Sequence, residues 1–192
     1  MNKSRLEAFS DGVLAIIITI MVLEIKVPHG AAWVDIKPLI PVVLSYLFSF
    51  IYVGIYWNNH HHLFHIVKGV NGTVLWANLH LLFWLSLLPF ATAWMDENHF
   101  QSIPVALYGF ILLMCGTAWK ILANAIIKYE GENSGLKNVY QNDMKMWLSI
   151  VFYLTGIGAA FFMPVISIIL YIAIAIIWFV PDKRIEKKII HE

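Results

Sequence analysis

Charge is what this chain has least of. Only 13% of its 192 residues are Asp, Glu, Lys or Arg, where a soluble domain carries about a quarter. That scarcity, with 60% hydrophobic residues and a mean hydropathy of +0.72, excludes an ordinary soluble domain. It fits a polytopic membrane protein with short loops. There is one cysteine, Cys115, inside an apolar stretch, so no intrachain disulfide forms. Gly/Ser linkers and low-complexity tracts are absent, so residues 1–192 are expected to form a single membrane domain. The chain lacks G-x-x-x-x-G-K-[ST], G-x-S-x-G and H-E-x-x-H, which removes the common signatures of nucleotide, acyl-transfer and zinc-protease chemistry. Its paired carboxylates, Asp96-Glu97 and Glu130/Glu132, fall in loops and read as solvated charges. No enzyme is expected, and nothing calls for a cofactor or a nucleic acid.

What is present is a series of apolar runs. A spanning helix needs about 20 mostly apolar residues. Six candidates meet or approach that length: Ser4–Ile25, Ile36–Phe64, Val70–Met95, Ser102–Ile127, Tyr140–Met163 and Val165–Val180. The last two share one run from Met146 to Val180. As one helix it would be about 50 Å long, too long for one crossing. Pro164, after Gly156 and Gly158, is the expected break. The fold class is therefore all-α, with six transmembrane helices per subunit.

Six spans put both termini on one side. All the Lys and Arg residues except Lys26 and Lys37 fall on that side: Lys3, Arg5, Lys68, Lys120, Lys128, Lys137, Lys145, Lys183, Arg184, Lys187 and Lys188. By the positive-inside rule the termini are cytoplasmic. Lys3 and Arg5 also resemble the basic start of a cleaved leader. Glu7 and Asp11 precede the apolar core, however, which a leader avoids. The first segment is accordingly expected to be a span of a multi-pass protein in a bacterial plasma membrane.

Polar residues cluster at the cytoplasmic ends. Arg5, Ser10 and Asp11 lie in the inner half of the first span. The second span ends in YWNNHHHLFH, and the third begins with Trp76, Asn78 and His80. Helical rise sets Asp11 and Asn78 each about 12–15 Å from its basic anchor, so the clusters share a depth. A buried charge in a membrane is tolerated when paired. We expect Arg5, Ser10 and Asp11 to form an interhelix network with His60 or His61, Trp76 and Asn78. Trp76 only donates and an ionised Asp11 only accepts, so they suit one another. His61 and His65, at i and i+4, have metal-ligand spacing. No carboxylate lies within the run and the other histidines are scattered, so no metal site is expected.

In the first span, Ile16, Ile20 and Leu23 follow i, i+4, i+7 as one aliphatic stripe, with Thr19 beside it. Ala8, Gly12, Ala15 and Thr19 form a small-residue seam suited to close helix contact. The stripe faces either lipid and neighbouring helices, or the axis of an oligomer. In the second case its rings form a hydrophobic constriction.

RLEAFSD fits an R-x-x-x-F-S-D signature at Arg5, Phe9, Ser10 and Asp11. The chain thereby resembles the bacterial branch of the transmembrane protein 175 family, known for lysosomal potassium channels. The likeness continues in W-x-x-H-H at Trp57, His60 and His61. It extends through Leu75, Trp76, Asn78, Leu88, Pro89, Phe90 and Thr92, covering about the first 95 residues. The resemblance implies a homotetramer of six-span subunits whose first helices line a central pore. It also implies Ile16 as the narrowest ring, Thr19 as a potassium-linked pore hydroxyl, and Ile20 and Leu23 as further pore positions. Some members carry a second hydroxyl where this chain has Ala15, which weakens any potassium preference. The signature residues would brace the first helix. No T-V-G-Y-G occurs, so no carbonyl-lined filter is expected. The implied function is an ion channel with modest preference for K⁺ over Na⁺, K⁺ being the permeant ion. The alternative is a proton-conducting channel or proton-coupled transporter, because Asp11, His60, His61 and His80 are able to relay protons.

Overall fold

A computed structural model describes residues 3–131 and 144–179. Eight helices account for most of them: α1 (Lys3–Leu23), α2 (Trp33–Ile36), α3 (Ile40–Ile66), α4 (Gly72–Leu85), α5 (Leu88–Glu97), α6 (Ser102–Glu130), α7 (Met144–Ala160) and α8 (Pro164–Phe179). The single turn of α2 runs through a tight turn at Lys37–Leu39 into α3. By length and composition, four units are able to cross a bilayer: Lys3–Leu23, Trp33–Ile66, Gly72–Glu97 and Ser102–Glu130. The 17-residue α7 and the 16-residue α8 are shorter. At 1.5 Å per residue each reaches about 25 Å, most of a hydrocarbon core.

The break before Pro164 is present. Proline has no N–H to give and fits the first turn of a new helix. Phe162 N and Met163 N both donate to Ala159 O, closing the turn, and Ser167 Oγ donates to Gly156 O at 2.6 Å across the hairpin. α7 stops at Ala160, three residues short of the expected Met163. Its expected start at Tyr140, the expected end of α8 at Val180, and Glu132, Lys137, Lys183, Arg184, Lys187 and Lys188 lie outside the described residues.

The third expected span differs in one respect. It is interrupted at Ser86–Leu87, so Val70–Met95 is two helices on one path. Pro89 is the cause, because it cannot donate back to the preceding turn. The chain tightens instead: Leu87 N donates to Trp84 O, and Ser86 Oγ satisfies Phe83 O at 2.7 Å.

α6 is the centre of the fold. Val105, Tyr108, Leu112, Cys115, Leu122 and Ile126 on it are fully buried, and it packs on α4, α5, α7 and α8. Tyr171 of α8 lies in a notch made by two glycines. A Cβ at Gly109 of α6 or at Gly156 of α7 would collide with its ring. α1 lies to one side of this core and packs on α3, α4 and α5.

Candidate functional site

α1 has two unlike faces. Leu6, Ser10, Leu14, Ile17 and Met21 recur at steps of three and four and are buried. Ser10 is the polar member. Its Oγ donates to Leu6 O at 2.9 Å and accepts from Asn78 Nδ2 of α4 at 2.9 Å. Asn78 Oδ1 in turn faces His60 Nε2 of α3 at 2.9 Å. A carbonyl oxygen only accepts, so His60 is the Nε2–H tautomer. The bonds therefore run one way, from His60 through Asn78 and Ser10 to Leu6 O, and join three helices. All three side chains are buried. Such a chain is tolerable in a membrane because each member is satisfied.

Beside it, Trp57 Nε1 of α3 donates to Asp11 Oδ1 at 3.0 Å, and the Trp57 ring stacks on His61. Lys3 Nζ reaches Phe64 O at 2.8 Å, tying the start of α1 to the end of α3.

The residues expected at this base thus divide. Ser10, His60 and Asn78 come together, and Asp11 sits alongside with Trp57. Trp76 is not brought to Asp11: it is 75% exposed, and the bond to Asp11 comes from Trp57. Trp76 stands two positions from Asn78, about 200° around α4, so the two cannot both face α1. For the same reason His61, one position from His60, turns away to stack on Trp57. Arg5 and Phe9 lie on the exposed side of α1. Trp57 is the residue that sequence reasoning missed as a partner. Its place in W-x-x-H-H was the available signal.

The second face of α1 is not covered by the rest of the described chain. Ile16, Ile20 and Leu23 are 60%, 44% and 75% exposed, and Thr19 lies exposed among them. Thr19 Oγ1 donates to Ala15 O at 2.8 Å, so its hydroxyl proton is spent on its own helix and its lone pairs point outward from that bond. A Cβ at Gly12 would meet nothing within 4 Å.

A further polar set, also missed, lies at the opposite end of α3 from the His60 base. Ser45 of α3 donates to Asp96 of α5, and Ser49 Oγ pairs with Thr92 Oγ1 at 2.7 Å and Tyr108 Oη at 3.0 Å. The i, i+4 spacing of two serines inside an apolar helix was its signal. Among the described residues, no three His, Cys, Asp or Glu side chains are grouped to hold a metal ion.

A potassium channel from Chryseobacterium sp. (strain P1-3) is 61% identical over 189 residues, 98% of each chain. The family model described as the endosomal/lysosomal potassium channel TMEM175 matches residues 5–89, which contain all but the first two residues of α1, the whole of α3 and α4, and the Ser10–Asn78–His60 chain. The chain belongs to the TMEM175 family. This is a family of ion channels, not of enzymes. The crystal structure of a lysosomal potassium-selective channel TMEM175 homologue from Chamaesiphon minutus superposes with a TM-score of 0.79. It is 27% identical and covers 92% of this chain and 95% of that one. The match therefore includes the α6–α8 region beyond the family model. The chicken endosomal/lysosomal proton channel TMEM175 is 34% identical over 124 residues, 55% of this chain and 25% of that protein. The TMEM175 family thus includes proteins named for potassium and proteins named for protons.

Proposed function

We propose that the protein is a potassium-preferring channel, a homotetramer in which four copies of α1 surround the conduction axis. The observation that carries this reading is the uncovered face of α1. A helix of 21 residues leaves Ile16, Ile20 and Leu23 exposed on one stripe while its other face is packed and its base is fastened by polar bonds. A helix held this firmly at one end and left bare along one face is suited to line a shared axis. The bacterial relative named as a potassium channel supports the choice of ion.

In this reading Ile16, Ile20 and Leu23 form apolar rings that restrict conduction by dewetting. Thr19 supplies the nearest oxygen lone pairs for a partly dehydrated K⁺. Ser10, Asp11, His60, His61 and Asn78 set the position of α1 rather than touch the ion, and the exposed Arg5, Phe9 and Trp76 would do so against a neighbouring copy. The termini are cytoplasmic and the membrane is the bacterial plasma membrane.

The animal relatives' naming as proton channels favours a second reading, proton conduction along the same axis. Reversal potentials in planar bilayers, with K⁺ on one side and Na⁺ on the other and with a separate pH gradient, distinguish the two. A shift toward the K⁺ equilibrium potential, diminished in Thr19→Ala, is expected. A shift that follows the pH gradient alone would replace the first reading with the second.

A further inference from the structure

Between α3, α6 and α7, beside the face of α3 that meets the α1 base, there is a cavity of about 40 Å³. Tyr52, Tyr56 and Asn59 of α3 form one wall, Trp119 of α6 a second, and Ser149 and Tyr153 of α7 a third. None of its lining residues is charged. Most of the polar groups around it are already committed as donors. Tyr153 Oη donates to Tyr52 Oη at 3.3 Å, and Tyr52 Oη to Tyr171 O at 2.6 Å. Trp178 Nε1 donates to Ser149 Oγ at 2.9 Å, and Asn59 Nδ2 to Ile55 O at 2.8 Å.

Two groups around it are not committed in this way, the Tyr56 hydroxyl and the Trp119 indole, and only the indole nitrogen is fully buried. Trp119 is 3% exposed, and its Nε1 is the buried side-chain nitrogen or oxygen left without a hydrogen-bond partner among the described residues. An indole nitrogen only donates, and an unmade buried bond costs about 1–3 kcal/mol. The cavity therefore calls for an acceptor. The lining carries no charge to offset the desolvation of an ion, which favours a neutral ligand. A site of this size holds roughly three water molecules.

The position of α3 gives the cavity a second meaning. Tyr56 and Asn59 face the cavity, while the next residues along, Trp57 and His60, hold Asp11 and Asn78 at the base of α1. One helix is thus a wall of the cavity and a support of α1.

We propose that this cavity is a lateral regulatory site: it binds a small neutral hydrogen-bond acceptor against Trp119, water when nothing else is present, and α3 transmits its occupancy to α1. The second clause rests on the channel reading given above; the first does not.

The test uses the full chain in lipid nanodiscs with nitrogen-15-labelled tryptophan. The Trp119 indole N–H resonance, identified by its loss in Trp119→Phe, is expected to show a cross-peak to water. A cross-peak to lipid glycerol or acyl protons, or none at all, would overturn the assignment. 1-Propanol, a neutral acceptor about as large as the water it displaces, is the probe for regulation. It is expected to shift that resonance and to change the K⁺ current. Gly116 lines the cavity, and a Cβ there would meet Tyr56 Oη at 3.9 Å without a clash. Gly116→Leu fills the space and is expected to abolish both responses, with Gly116→Ala retaining them. A propanol effect on current that survives in Gly116→Leu would refute the regulatory role. If the wild type carries no current, the channel reading fails, and the indole resonance still decides whether the site is occupied.

Discussion

Replacing Asn78 by leucine keeps the side-chain volume nearly constant and removes both polar ends of the link between α3 and α1. Ser10 Oγ keeps its bond to Leu6 O and loses only an incoming donor. His60 fares worse, because its Nε2–H is buried and meets no other acceptor among the described residues. The unmade donor costs about 1–3 kcal/mol. Hydrogen bonds between membrane helices average only about 0.6 kcal/mol, with a maximum near 1.7 kcal/mol. The expected loss is therefore about 1–2 kcal/mol, dominated by the stranded histidine rather than by the bond to serine. The companion His60→Phe then becomes diagnostic, since removing both partners is far cheaper than removing one. Asn78→Leu with His60→Phe is expected to recover most of the loss. The assay is unfolding of the purified protein in mixed detergent and SDS, fitted for each single mutant and the pair. A stability unchanged in Asn78→Leu, or a double mutant worse than the sum of the singles, would refute the one-way chain.

Ile16→Asn is expected to wet the ring, raising single-channel conductance while lowering K⁺ over Na⁺ preference, both read in planar bilayers. Thr19→Ala is expected to lower the same preference without raising conductance, since it removes oxygen lone pairs but adds no water. Trp57→Phe removes the donor to Asp11 at a partly exposed site; about 0.5–1.5 kcal/mol of stability should be lost, measured by the same SDS titration. Gly109→Ala puts a methyl group against the Tyr171 ring and is expected to cost about 1–3 kcal/mol. Adding Tyr171→Phe removes the nearest colliding atom, the hydroxyl oxygen, and should return part of that loss.

The spans were readable because each is a long apolar run. The α7–α8 break was readable because one run was too long and held a proline. The interruption at Ser86–Leu87 was not readable in the same way. The helix resumes after two residues on the same path, so neither length nor hydropathy changes there. The depth of the polar base followed from helical rise alone, which is why Ser10, His60 and Asn78 were placed at one level. Which tryptophan meets Asp11 did not follow, because it depends on how α3 and α4 are rotated about their axes. Two residues decide it: Asn78 claims the α1-facing side of α4 and so turns Trp76 outward. The notch that holds Tyr171 was also hidden. Gly109 and Gly156 are far apart in sequence and become one feature only when α6 and α7 are packed.

The interruption between α4 and α5 divides one membrane span into two levers. The inner lever is pinned by Asn78 to α1 and α3, and the outer by Thr92 and Asp96 to the serines of α3. Between them the regular ladder of backbone bonds gives way to a tight turn, so twist applied to one end need not reach the other. The N-terminal end of α1 then answers to torque applied at α3 and α4, while the far end of the span stays clamped.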